Sequence, residues 1–182
     1  TQAVCRLHAV LAQLKPGGHS RHLSAKAASR MLQGVRTLDV VGEQRRQVAH
    51  AHLGDIRRLD RDIKANKALV RKAVTAADST LTDLYGVGPM VAAFVIGYTG
   101  DPNRFATADH YAAYNGTAPI EYSSGGSRKH RLSLRGNRVL NHAIHMAAMA
   151  QISKPASIGW AYYDKKQTEG KTKKEALRAL KR

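Results

Sequence analysis

Cysteine, large aromatics and acidic residues are all scarce in this chain. The lone cysteine, Cys5, cannot form an internal disulfide and has no second cysteine for a zinc knuckle, which is compatible with a reducing compartment. Two Phe, one Trp and seven Tyr are too few for a broad platform that stacks single-stranded bases. No run approaches the ~18 apolar residues of a spanning helix, and Thr1 opens no signal-peptide pattern. The expectation is therefore a soluble cytoplasmic protein with no membrane partner. Carboxylates are sparse and scattered: Asp101, Asp109, Glu121 and Asp164 show no acidic-x-acidic pairing, so a complete two-metal site within the chain is not expected. His142 and His145 lie three apart on one helical stretch without a carboxylate nearby, a pattern more typical of packed or surface histidines than of metal ligands.

What the chain has in abundance is positive charge. Thirty Lys and Arg stand against 13 Asp and Glu, a formal charge of +17 on 182 residues, and that excess points to a polyanionic partner, nucleic acid first. Residues 79–120 carry one cation and three acids, whereas 121–138 carry five cations and one acid. Charge thus divides the sequence around a nearly neutral, compact middle. The length allows one domain, or a domain with an extension.

Residues 3–14 place Val4, Leu7, Val10, Leu11 and Leu14 at helical spacing, and "KPGG" stops them. A second short helix is expected after Ser24. From about Thr37 to Ala77 there is no proline, and Ile56, Ile63 and Val70 recur every seven residues with Leu59 between them, the seam of a coiled-coil-like helix. The repeat shifts near Gly54, where a bend or a change of partner is expected. Arg57, Arg61, Lys64 and Arg71 form a basic stripe on that helix, which can equally be a solvated face. The expected organisation is a helical connector over residues 1–79 and a compact helical domain over 80–182, mainly α, with a short loop or hairpin.

In the second part, "LYGVGPM" sets Gly86 and Gly88 before Pro89, which suits a first helical position. The pattern looks like a helix-hairpin-helix, whose glycine amides can hold a DNA phosphate at a helix N-terminus. A purely structural hairpin explains it as well, because Arg104 is the only cation in residues 79–120. Thr107 reads as an N-cap, with Asn115-Gly116 as the following stop. After Asn137, Leu140, Ala143, Ile144, Ala147, Ala148 and Ile152 share one helical face, and "TKKE" from Thr172 to Glu175 is a capping box.

The stretch "SSGGSRKHRLSLRG", residues 123–136, puts glycine-flanked serines beside dense cations. A serine hydroxyl attacking phosphorus must lose its proton while cations balance charge on the phosphate oxygens. Ser and Gly are also ordinary formers of a basic surface turn.

"LTDLYGVGPMVAAFVIGYTGDPNRFATADHYAAYNGTAPIEYSSGG", followed by "HRLSLRGNRVLNHAIHMAA", resembles the C-terminal domain of insertion-sequence transposases of the IS-one-ten type. The resemblance is strong over residues 80–152 and looser on either side. It implies a serine-bearing domain that works with a RuvC-like domain bearing a DEDD acidic tetrad, guided by a structured bridge RNA. The family's nucleophile, the serine before glycine in its tyrosine-x-serine-glycine stretch, falls on Ser124 before Gly125; Ser123 serves as the control. The matching "RLSLRGN" segment implies contacts of Arg131, Ser133, Arg135 and Asn137 to DNA or phosphate, beside those expected above of Gly86 and Gly88 in the turn and of Gly125, Arg128 and Lys129 in the basic loop. The acidic half would lie before Thr1 and hold divalent metal, Mg2+, so this chain alone binds no cofactor and should not catalyse recombination. Assembly as a dimer or tetramer through Ile56, Leu59, Ile63 and Val70 is also implied. The rival reading is a non-catalytic nucleic-acid-binding or regulatory fragment that assembles with a full transposase.

Overall fold

A computed structural model describes residues 2–15, 17, 23–124, 127–132 and 135–182, with the backbone alone for 122–124 and 127–132. Among these residues the protein is mainly α: eight helices and one two-stranded antiparallel hairpin, divided into two compact units, Thr1–Ala68 and Leu69–Arg182. The division falls inside a helix rather than at residue 79.

In the first unit, α1 (Gln2–Leu14) and α2 (Ala25–Gln33) pack against the first half of α3 (Val40–Ala76). The apolar positions that recur along α1 and α2 meet Ala49, Leu53 and Ile56 of α3, and Leu11, Leu32 and Leu53 are sealed from solvent. Ser24 caps α2 by accepting from the Ala27 amide at 3.2 Å, as its residue type favours. At the start of α3, Asp39 accepts from the Gly42 amide at 2.6 Å, and Glu43, bonded by Thr37 and Arg46, puts negative charge at the positive end of the helix dipole. The Arg46 guanidinium is the main cause that holds the Glu43 carboxyl below its ordinary range.

Helix α3 runs unbroken through Gly54 for 37 residues, about 55 Å at ~1.5 Å per residue. What changes near Gly54 is burial. Ile56 belongs to the core with α1 and α2, whereas Leu59 and Ile63 are 44% and 52% exposed and Val70 is half-buried. The seven-residue repeat therefore joins one core residue to an open stripe. Arg57, Arg61, Lys64 and Arg71 are all exposed.

The second unit is built on α6 (Arg138–Ile152), which packs against α4 (Pro89–Thr99), α5 (Ala108–Asn115), α7 (Ile158–Thr168) and α8 (Lys173–Lys181). Its buried side chains are mostly small: Ala92, Ala112, Ala143, Ala148 and Ala176, with Val74 and Leu140. Alanine lets helix axes approach closely, and the apolar face read along α6 is the face that packs. Two glycines serve the same end. A Cβ on Gly86 would stand 2.8 Å from the Ala147 carbonyl oxygen and 2.9 Å from the Ala150 methyl, and one on Gly159 would run into the Gln151 side chain. Gly116 and Gly86 also adopt positive φ, 74° and 86°, which glycine tolerates best.

Capping follows residue type. Thr107 accepts from the His110 amide, Ser157 from the Trp160 amide, and Thr172 and Glu175 form a reciprocal capping box. Before Gly86 the chain makes a four-residue 3₁₀ turn, Thr80–Asp83, that packs on α4. Among the described residues no helix is long and apolar enough to cross a membrane.

Candidate functional site

The charged serine-glycine stretch forms a ribbon of two strands, β1 (Pro119–Ser124) and β2 (Ser127–Leu132), paired from Pro119 with Leu132 to Ser124 with Ser127. Ser124 is the last residue of β1, and two residues, Gly125 and Gly126, link it to Ser127. Gly125 lies outside the described residues, as does Ser133. Residues directly opposite share a face of a ribbon and neighbours along a strand alternate. The register therefore places Ser124 on the face of Ser127, Tyr122, Lys129, Ile120 and Arg131. Ser123 belongs to the other face with Arg128 and His130. Lys129 and Arg131 stand opposite positions two and four residues before Ser124, about 7 and 13 Å along the strand at ~3.3 Å per residue.

The base of the ribbon is fixed by side chains whose hydrogen bonds leave little slack. β1 leaves α5 through Gly116, and the amides of Thr117 and Ala118 both donate to the Ala112 carbonyl, at 2.9 and 3.0 Å. The buried Asn115 accepts from the Thr117 amide at 2.9 Å. The chain continues from β2 to α6 through Arg135, Gly136 and Asn137. Asn137 is the N-cap of α6: its Oδ1 accepts from the Val139 and Leu140 amides at 3.1 and 3.0 Å, and its own amide donates to the Tyr114 carbonyl at 2.7 Å. Its Nδ2 also faces the Tyr114 hydroxyl at 3.5 Å. These bonds tie the start of α6 to the end of α5. Gly136 lies so close to Gly116 that a Cβ there would overlap the Gly116 amide nitrogen and Cα. The two glycines, distant in sequence, cross where the ribbon begins and ends. Arg135, beside them, is exposed.

An aromatic brace lies under this crossing. The Tyr114 hydroxyl donates to the Tyr98 carbonyl at 2.7 Å, and Arg104 stacks over Phe105 and Tyr114, 4.5 and 4.6 Å from their ring centroids. Hydrogen bonds from Asn137 and then Arg104 lower the Tyr114 pKa below its ordinary value. Arg104, the lone cation of residues 79–120, is thus occupied by the brace.

Gly86 and Gly88 have separate tasks. Gly86 is held against α6, whereas Gly88 is the N-cap of α4, with no side chain capping the helix and open space where its Cβ would be. Lys154 comes from the far end of α6 to sit over the Tyr85 ring at 4.3 Å, a cation beside this turn that sequence proximity could not reveal. His142 and His145 line a small cavity of about 150 Å3 with Arg138, Asn141 and the Gly116–Gly136 crossing. Burial first, then the charges of Lys181 and His142, hold His145 below its ordinary pKa. Among the described residues no three His, Cys, Asp or Glu side chains gather as a metal site. A second feature unseen in the sequence is a cavity of about 540 Å3 beside the start of β1, lined by Lys166, Lys171, Arg178 and Arg182.

Residues 78–164, which include the ribbon, the brace and α6, match the family model described as Transposase IS116/IS110/IS902 family. Among similar proteins, the insertion element IS110 uncharacterized 43.6 kDa protein of Streptomyces coelicolor is 41% identical over 104 residues, 56% of this chain and 25% of that protein. The insertion element IS116 uncharacterized 44.8 kDa protein of Streptomyces clavuligerus is 29% identical over 165 residues, 85% of this chain and 40% of its own length. The insertion element IS900 uncharacterized 42 kDa protein of Mycobacterium paratuberculosis is 36% identical over 99 residues, 53% of this chain and 25% of that protein. The matches span between a quarter and two fifths of these relatives. Residues 78–164 of this chain are thus similar to the IS116/IS110/IS902 transposase family, as are the insertion-element proteins that match it.

Proposed function

We propose that the chain is the serine-bearing part of a DNA transposase and that Ser124 is its nucleophile. The observation that carries the reading is the strand register, which puts Ser124 last in β1, at a two-residue glycine link, on the face shared with Lys129 and Arg131. For a phosphodiester at Ser124, the cations two and four pair positions away on the same face balance charge on its oxygens. The Ser124 oxygen forms a bond to phosphorus, the bond from phosphorus to the 3′ oxygen breaks, and that oxygen leaves as a 3′ hydroxyl after taking a proton. The serine's own proton passes to a base. The released hydroxyl later attacks the phosphoserine of a new partner strand and restores Ser124.

In this reading a RuvC-like domain outside the chain would hold divalent metal. A structured guide RNA selects the DNA, and the exposed Leu59 and Ile63 join subunits into a dimer or tetramer, with Ile56 left to the core of its own unit. The turn at Gly86–Gly88 acts as a helix-hairpin-helix, where the open first turn of α4 takes a phosphate with Lys154 nearby.

The test combines the longest native form of the protein with guide RNA, divalent metal and labelled donor DNA, then looks for a covalent adduct on a denaturing gel. An adduct lost with Ser124→Ala and kept with Ser123→Ala is expected. Tight nucleic-acid binding with no adduct, under conditions where a relative forms one, would make the chain a binding or regulatory module.

A further inference from the structure

We infer that the cavity between α7, α8 and the start of β1 is a docking groove for the phosphate backbone of duplex DNA. This rests on the reading above that the chain acts on nucleic acid. The cavity measures about 540 Å3, and its wall brings together Lys166, Lys171, Arg178 and Arg182 with Tyr162 and Pro119. Its one carboxylate, Glu175, is turned to local use: Oε2 accepts from the Thr172 amide at 2.9 Å and from the Thr172 hydroxyl at 2.7 Å, closing the capping box of α8. Among the described residues that line it, four cations thus stand against one carboxylate, and that carboxylate also caps α8.

Lys166 pairs with Glu169 at 2.7 Å and Arg182 with Asp109 at 2.6 Å, both at the surface. The acids of both pairs are 40% and 72% exposed, and such pairs are worth little in water, so a phosphate oxygen can replace either carboxylate at small cost. Tyr162, with Lys166 5.4 Å from its ring centroid, adds a flat face suited to a sugar or base edge. Phosphate recognition by a cluster of flexible lysines and arginines is independent of sequence, which fits a groove that positions rather than reads.

Location gives the groove its purpose. Pro119 belongs to the groove wall and is the first residue of β1; Ser124 is five residues further along the same strand. At ~3.3 Å per residue that is about 16 Å, which matches about five base-pair steps of duplex at 3.4 Å each. A nucleic acid held in the groove and laid along the ribbon is thereby anchored about half a helical turn from Ser124.

The test measures binding of the whole 182-residue chain to a short labelled DNA duplex, and to an RNA duplex of the same sequence, across a range of salt concentrations. Replacing Lys171 and Arg178 together by Gln should lower the slope of log affinity against log salt by about 1.8, or 0.9 for each lost phosphate contact on DNA. Affinity at low salt should fall about tenfold or more. Lys171→Gln alone, at an exposed position, should lower the slope by about 0.9. Lys171→Arg with Arg178→Lys should keep both slope and affinity, and Lys64→Gln with Arg71→Gln, an equal loss of charge on α3, should cost less. A larger loss on the DNA duplex than on the RNA duplex is expected; loss on the RNA duplex alone would overturn DNA as the occupant. A wild-type chain with steep salt dependence, and groove variants no weaker than the α3 variant, would overturn the groove while leaving the nucleic-acid reading intact. A wild-type chain that binds neither duplex would instead sink that reading and the groove with it.

Discussion

Replacing Gly136 by alanine should destabilise the second unit far more than a surface glycine change normally does. The added methyl would overlap the Gly116 backbone, so either the α5 end or the chain before α6 must move. Overpacking of this kind costs about 1–3 kcal/mol. Movement of Gly136 also pulls Asn137 from its capping position, a loss of about 0.5–2 kcal/mol. Together they give about 1.5–5 kcal/mol, and at about 4 °C per kcal/mol for a unit of this size the melting midpoint should drop by about 6–20 °C. Gly88→Ala is the matched control: its φ is −76° and nothing lies within 4 Å of the added carbon, so it should stay within about 0.5 kcal/mol of wild type. Thermal and urea unfolding followed by circular dichroism read both variants. Asn137→Asp keeps an N-cap acceptor and should melt near wild type, whereas Asn137→Ala should lose about 1 kcal/mol. A Gly136→Ala protein that melts within about 2 °C of wild type would refute the crossing as a structural clamp.

Gly86→Ala should cost about 2 kcal/mol or more, because it adds a methyl against Ala147 and Ala150 and forces a side chain into positive φ; chemical denaturation beside the Gly88→Ala control checks it. Thr172→Ala removes one half of the capping box and should destabilise α8 by about 1 kcal/mol, read as a lower urea midpoint and faster amide exchange in α8. His145 titrates below its ordinary 6.5 in the folded protein because of burial and the neighbouring Lys181 and His142. The unfolded chain then binds its proton more readily, so stability should fall as pH drops through about 6.5 and level off below the folded value. Urea midpoints at about pH 7.5 and 5.5 should differ less for His145→Gln than for wild type; equal differences would remove His145 as the cause.

Local chemistry carried much of the fold into the sequence. Ser24, Thr107 and Thr172 sit before helices that they cap, and the apolar face of α6 was visible because each of its contacts repeats at helical spacing. Elements lost from view were those set by partners distant in the chain. The heptad on α3 showed which residues are apolar, but not that Ile56 packs on α1 and α2 while Leu59 and Ile63 stay open. Asn137 drew attention as a polar residue in a basic motif, although an asparagine immediately before a periodic apolar run is also an N-cap signal. Gly136 gave no local sign of its role, since the atoms it must clear belong to Gly116. The groove was equally hidden: its cations converge from α7, the turn before α8 and α8 itself onto the start of β1, and charge counted along the chain cannot show convergence. Ser124 was legible as a residue type in a setting, and the register added which cations share its face.

The most direct test of the central claim is to digest a protein–DNA adduct with protease and nuclease and locate the modified residue by mass spectrometry. The account predicts a nucleotide phosphate on Ser124, with Ser123 and Ser127 unmodified. A phosphate on Ser123, on Ser127, or on a residue outside the ribbon would contradict it.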